Sequence, residues 1–267
     1  MRRIILGRMR IASLSPAATE ILFALGCGSQ IVCADQFSDF PEETRAIPHL
    51  KGHQEIDAEA LDAFRPEIVL TGTVIQEKLA SNLRSQHLPV IHQDPRTLLQ
   101  VFDAIRQLGA IFAAEERAAA LVLSMQQGLN AVKKKASLLE SKPRVYVEEW
   151  LNLPMVSGNW VPELIRIAGG QSFPIQPGTL SREVTFEEVQ RFDPDLIVIS
   201  WCGAGVLAEK KLLVEREGWQ TLRAIREGRV RVIDDSLLNR PGPRLLEGAQ
   251  RLYGWMFEML HGVMAFS

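Results

Sequence analysis

Residues 55–72 run EIDAEALDAFRPEIVLTG, and residues 183–200 run EVTFEEVQRFDPDLIVIS. Each copy has an acidic start, a short amphipathic stretch, Phe-x-Pro-acidic and then three or four apolar residues. The agreement continues downstream, where Val74-Ile75-Gln76-Glu77-Lys78-Leu79 parallels Val206-Leu207-Ala208-Glu209-Lys210-Lys211. The opening helices match loosely as well, PAATEILFALG from Pro16 against PELIRIAGG from Pro162. Such agreement in one order marks an internal repeat. Each copy gives a short helix stopped before a proline and then a buried apolar strand. The repeat therefore predicts two similar α/β lobes.

The flanking sequence supports parallel sheets in both. In the first half, strands are expected at residues 10–14, 31–34, 67–70 and 89–91. Helices are expected at 16–25, 56–64 and 76–86, with Ser15 or Ser13 and Asp57 as N-caps. In the second half, strands at 144–147, 196–200 and 230–233 alternate with helices at 160–168, 186–192 and 243–260. Short apolar strands alternating with helices argue a parallel sheet. Between the halves, Leu98, Phe102, Ile105, Leu108 and Phe112 recur at helical spacing, and so do Leu121, Met125, Leu129 and Val132. Gly109 and Ala113-Ala114 divide this stretch into two helices. The second lies within 115–139 and is long enough, at about 38 Å, to bridge two lobes. Lys133, Lys134 and Lys135 suit its negative end. The expected organisation is an N-terminal lobe over 1–96, a helical segment with an inter-lobe backbone helix over 97–142, and a C-terminal lobe over 143–267.

Composition narrows the function. The chain has 267 residues, enough for two lobes of about 100 to 130 residues with their own cores. Thirty Lys and Arg stand against 32 Asp and Glu, a balance that excludes a general nucleic-acid binder. No apolar run is long enough to span a bilayer. The three cysteines, Cys27, Cys33 and Cys202, form no CxxC and are expected as buried free thiols. Arg2 and Arg3 are followed by only Ile4-Ile5-Leu6-Gly7, too short for the apolar core of a signal peptide, and Met9 is an alternative start. His49 and His53 are four apart with Asp57 beyond. Pro48 and Gly52 favour a loop there, so a metal pair is not expected. GxSxG, HExxH, a Walker A loop and GxGxxG after a strand are all missing, so no enzyme is expected.

The chain resembles the class III substrate-binding proteins of ABC importers. Ser13-Leu14-Ser15-Pro16-Ala17-Ala18-Thr19-Glu20 is similar to that family's opening SxSPxxTE, and Phe64-Arg65-Pro66-Glu67-Ile68-Val69-Leu70 to its xPDLVL strand. Within the family it resembles the vitamin B12 (cobalamin)-binding periplasmic group. That likeness rests on Glu149-Trp150 with Pro154, on Gly158 to Leu164, and on Asn239-Arg240-Pro241-Gly242-Pro243-Arg244. The likeness extends from residue 10 to about residue 260. It departs at Thr71-Gly72-Thr73 and at Leu237-Leu238, where the well-known B12 binders offer a Trp.

The resemblance implies two α/β lobes on one backbone helix and a corrinoid captured in the cleft between them for an ABC importer. Haem, a ferric siderophore or a metal ion are the alternative ligands, and a cytosolic corrinoid-handling protein is an alternative role. An enzyme on a nitrogenase-like lobe architecture finds no cysteine or histidine cluster to hold a metallocluster. No resident cofactor is expected, and the partners are the ligand and a permease dimer, with the chain itself a monomer. Location is expected to be periplasmic or cell-surface, with the cytoplasm open because residues 1–8 carry no evident leader.

Ligands of open α/β sheets sit beyond the carboxyl ends of the strands. That rule makes Ser15, Pro16, Gln36, Phe37, Thr71, Gly72, Thr73 and Asp94 the candidate contacts in the first lobe. In the second they are Trp150, Trp160, Trp201, Asn239 and Arg240. The tryptophan planes suit a large flat ligand. The bland readings are N-capping for Ser15, packing for the tryptophans and a turn-holding ion pair for Arg240. Trp219 and Trp255 are expected to pack. Glu77 and Glu209 hold equivalent places in the repeat, and the resemblance implies that they dock on the permease.

Overall fold

The computed structural model describes residues 9–262. Residues 1–8, which carry the basic start weighed above as a leader, lie outside the described residues. The chain divides into two units. The first takes in residues up to 95 together with 101–122; the second takes in 96–100 and everything from Leu123.

The first unit holds a five-stranded sheet, all parallel. Its elements are β1 (Ile11–Ser13), α1 (Pro16–Ala24), β2 (Ile31–Asp35), β3 (His49–Leu50), α2 (Ala58–Asp62), β4 (Ile68–Gly72), α3 (Glu77–Ser85) and β5 (Val90–Gln93). The strand order is β3-β2-β1-β4-β5. β1 lies at the centre, with Ile11 beside Ile31 and Ile68. A central parallel strand is covered on both faces, which is why all three of its residues are buried. Leu14, Cys33, Leu61, Val69, Leu79 and Leu83 form a core beneath it.

Helices α4 (Leu98–Ile111) and α5 (Glu115–Ala136) follow. They are separate because Ala113 takes a left-handed conformation between them. α5 has 22 residues, about 33 Å. It stops short of the expected limit at 139 because tight turns at Leu138 and Leu139 replace the helical bonding. Its residues through Val122 belong to the first unit and the rest to the second.

The second unit contains β6 (Arg144–Trp150), β7 (Met155–Val156), α6 (Val161–Ile167), β8 (Gln171–Ser172), β9 (Arg182–Glu183), α7 (Phe186–Phe192), β10 (Leu196–Ile199), α8 (Lys210–Val214), α9 (Arg223–Arg226), β11 (Val230–Val232) and α10 (Leu245–His261). The order is β11-β10-β6-β7-β9, with β8 also on β6. β6, β10 and β11 are parallel, whereas β7 runs antiparallel to both of its neighbours, β6 and β9. The two-residue strands are too short to carry a period, so the sequence pattern shows only the parallel core. Tyr146, Phe173, Phe192 and Trp219 meet edge to face or tilted inside this unit.

The repeat is visible in the backbone. Arg65 (φ 45°) and Asp193 (φ 47°) are both left-handed and each directly precedes a proline; Asp193 is the C-cap of α7, whereas α2 already ends at Asp62 with Ala63 as its cap. The caps differ. Asp57 caps α2 through one side-chain bond to the Glu59 amide. Thr185 caps α7 in a reciprocal box with Glu188. A short 3-10 turn then precedes each following helix, at Val74–Gln76 and at Gly205–Leu207.

Candidate functional site

In the first unit, a polar network occupies the carboxyl ends of β1, β2 and β4. Asp35 ends β2 and is wholly buried. Its Oδ1 accepts from the Ser38 hydroxyl at 2.6 Å, and its Oδ2 lies 2.6 Å from His53 Nδ1. Ser38 Oγ meets Thr19 Oγ1 at 2.9 Å, and Thr19 donates to Ser13 Oγ at 2.8 Å. Gln76, also buried, ties the loops together. Its amide nitrogen donates to the carbonyls of Leu14 and His53, and its Oε1 accepts from the Gly72 amide. A buried amide needs all these partners, so the arrangement holds the 51–57 loop over the strand ends.

The expected contact residues of this unit fall around that network. Ser15 N-caps α1, accepting from the Ala18 amide, and Pro16 fills the first helical turn. Gln36 accepts from the Gly52 amide and so tethers the loop that bears His53. Phe37 is 41% exposed and sets its ring edge against His53, 5.5 Å between centroids. Gly72 is packed so tightly that a Cβ would lie 2.8 Å from Ser15 Oγ. Thr71 is buried and bonds His92, whose basicity is lowered by burial. Thr73 stands in a left-handed conformation with its amide on Gln93 O. Asp94, partly buried, follows β5. His49 points its Nε2 at Ser38 O. The two histidines thus sit on a strand and a loop with different partners, as Pro48 and Gly52 suggest. Among the described residues no group of three or more His, Cys, Asp or Glu is placed to hold a metal ion.

In the second unit, Glu148 and Glu149 project to opposite sides of β6. Glu148 is wholly buried and takes both guanidinium arms of Arg216 at 2.8 Å, the Trp201 indole N–H at 3.0 Å and the Tyr146 hydroxyl at 3.1 Å. Arg216 also lies over the Trp219 ring. Glu149 is partly buried and accepts from the Ser181 hydroxyl at 2.6 Å. Burial pushes its carboxyl up, and Asp235 adds to the effect against the Ser181 hydrogen bond. Asp235 accepts from the amides of Gly203 and Gly205. It too is raised by burial, with Arg240 acting in the opposite sense. Cys202 receives an Asn239 N–H, and burial with the two carboxylates drives its thiol well up. Such a thiol stays protonated and unreactive. Cys27 and Cys33 are buried free thiols, the latter pushed up to about 12 by burial.

The tryptophans separate by exposure. Trp150, at the carboxyl end of β6, is 45% exposed. Trp160 is buried with its indole N–H on Leu238 O, and Trp201 is buried on Glu148. The rings of both are spent on packing, and their sequence position after a strand gave no sign of it. Trp219 is buried, and Trp255 is partly buried on α10. Asn239 bridges Ser200 and Cys202, and Arg240 lies near Asp235. Glu77 is the exposed first residue of α3, and Glu209 the exposed residue just before α8. The sequence reading missed Asp35, Gln76, Glu149 and Asp235. A carboxylate at a strand's carboxyl end was a visible signal for Asp35 and Glu149; Gln76 and Asp235 owe their place to the tertiary fold.

A family model described as periplasmic binding protein matches residues 11–237. The vitamin B12-binding protein of Photorhabdus laumondii is 26% identical over 247 residues, covering 91% of this chain and 86% of that protein. Among solved structures, the periplasmic heme-binding protein RhuT from Roseiflexus sp. RS-1 superposes with a TM-score of 0.82 at 24% identity, covering 96% of this chain and all of that one. An ABC-type Fe3+-hydroxamate transport protein from Saccharomonospora viridis gives a TM-score of 0.78 at 24% identity and covers 92% of each chain. At that identity the two structures speak for the fold alone.

Proposed function

We propose, from the premise that this chain belongs to the periplasmic binding protein family and is an ABC-type substrate-binding protein, that its cargo is a corrinoid. The observation that carries the reading is Trp150, a large ring left 45% exposed at the carboxyl end of the long central strand β6. An exposed indole at that place offers apolar area to a flat ligand at low entropic cost. Phe37 makes a similar offer at the end of β2. Gln36 directly follows β2, and Asn239 and Arg240 lie in the segment between β11 and α10, as partners for the amide or phosphate groups at a corrinoid's rim. The similarity to a vitamin B12-binding protein supports the same class. The protein carries no cofactor of its own, and the molecule it binds is cargo.

Calorimetric titration with cyanocobalamin and with dicyanocobinamide tests the reading. Micromolar or tighter binding, about −8 kcal/mol or better, is the expected result. Trp150→Ala should weaken it at least tenfold while leaving the melting temperature nearly unchanged. Absence of heat and spectral change with both ligands would remove the corrinoid and leave haem and ferric siderophores as the ligands to test.

Delivery to a membrane permease would use Glu77 and Glu209, the exposed acidic residues that begin equivalent helices of the repeat. Reversing both charges should abolish stimulation of the importer's ATPase without altering ligand affinity. A periplasmic or surface location follows from this role. Fractionation of cells carrying the native gene checks it, because retention in the cytosol would favour a corrinoid-handling role without a permease.

A further inference from the structure

His53 is held as a metal donor would be. Its Nδ1 lies 2.6 Å from Oδ2 of Asp35, a carboxylate with no exposed surface. A carboxylate accepts, so Nδ1 is the nitrogen that donates to it and Nε2 is the nitrogen left to face a ligand. The second oxygen of Asp35 is fixed by the Ser38 hydroxyl, which is braced in turn by Thr19. Gln76 grips the His53 carbonyl at 2.7 Å, and Gln36 holds the neighbouring Gly52 amide. The ring can therefore neither turn nor drift. With Nδ1 covered by Asp35 and by the Gln76 amide at 3.2 Å, the exposed fifth of the side chain belongs to its remaining edge, which bears Nε2. That atom has no hydrogen-bond partner among the described residues, and the exposed Phe37 ring meets the His53 ring edge to face.

We propose that His53 Nε2 binds an axial position of the metal in the captured chelate, with Asp35 as the positioning residue that fixes its tautomer. The carboxylate–histidine pair is the arrangement that orients an imidazole and strengthens it as a ligand. The inference rests on the reading of this chain as a chelate carrier and narrows the class of chelate. The cargo must be a planar macrocycle with an exchangeable axial site, such as haem or a corrinoid lacking its lower base. A hexadentate ferric siderophore, whose metal is coordinatively full, would have no use for this donor.

The test titrates wild-type protein and the His53→Ala, His53→Gln and Asp35→Asn variants with hemin, with diaquocobinamide and with a ferric trihydroxamate. Visible absorbance is followed throughout, and electron paramagnetic resonance of the hemin complex is recorded with 15N-histidine-labelled protein. The expected result is a nitrogen-ligated spectrum with hemin or diaquocobinamide and 15N coupling in the hemin complex. Both signatures should vanish in both His53 variants, with affinity falling tenfold or more. Asp35→Asn should keep the ligation and lose about 10- to 100-fold in affinity. Since His53 lies on a partly exposed loop, its variants keep the test sound should Asp35→Asn fail to fold.

An unchanged spectrum and affinity in His53→Ala would overturn the proposal and leave the chelate-carrier reading standing. Binding of the trihydroxamate alone would do the same while removing macrocycles as cargo. Binding of none of the three by wild-type protein would end both.

Discussion

Three carboxylates near the ends of the two sheets are stabilised in three different ways. In the first unit, Asp35 has a hydroxyl and an imidazole. In the second, Glu148 has a two-armed guanidinium, an indole and a phenol, while its neighbour Glu149 has the Ser181 hydroxyl. A buried charge is tolerated in proportion to the partners that replace water. Glu148 is built into the core with Tyr146, Trp201 and Trp219 around it, and its position is structural. Glu149, beside Asp235 and the raised Cys202 thiol, holds its proton more readily than an exposed glutamate does. The first surface instead offers an imidazole oriented by a buried carboxylate. The two sheets, related by a repeat, are thus chemically unlike at their strand ends.

The largest way to break this contrast is Arg216→Ala, which strands Glu148. Removing one partner of a buried pair costs about 3–5 kcal/mol, and denaturant unfolding should show a loss of that size. Glu148→Gln in the same chain should recover part of it.

A smaller effect is expected from Glu149. Its folded carboxyl holds a proton to higher pH than the unfolded chain does. Its contribution is therefore most favourable below the ordinary glutamate range and is lost as pH rises through the raised value. Glu149→Gln should flatten that part of the stability profile, while Glu183→Gln, on an exposed residue of β9, should not. Melting curves between pH 4 and pH 8 distinguish them, on the approximate span set by the group's ordinary range.

The smallest effect compares the repeated helices themselves. Thr185→Ala removes a reciprocal cap and should cost about 1 kcal/mol, whereas Asp57→Ala removes a single bond and should cost less. Equal losses would mean that the box adds nothing to the cap.

Most of the fold was legible because it is written in local periods. Phe186–Phe192 is a helix with the expected bounds and stops where the proline forbids continuation, whereas α2, expected over 56–64, spans only Ala58–Asp62. Two helices, divided at Ala113, stand where the apolar spacing put them. β7, β8 and β9 escaped notice because two residues carry no period and owe their pairing to a neighbouring strand.

The candidate site was legible only in outline. Strand ends locate Phe37 and Trp150, but the same rule gathers Trp160 and Trp201, which the fold turns inward onto Leu238 and Glu148. A strand end fixes where a residue stands and leaves open which way its ring faces, because that depends on partners far along the chain. Sequence by itself determined the two α/β halves, the long helix between them and the helix stops, all set by backbone sterics and apolar spacing within a few residues. Tertiary structure alone decided that Asp35, Ser38, His53 and Gln76 meet, that Arg216 reaches Glu148 across 68 residues, and that burial raises the Glu149 carboxyl. Those outcomes depend on burial and on hydrogen-bond partners brought from distant segments, which no local pattern encodes.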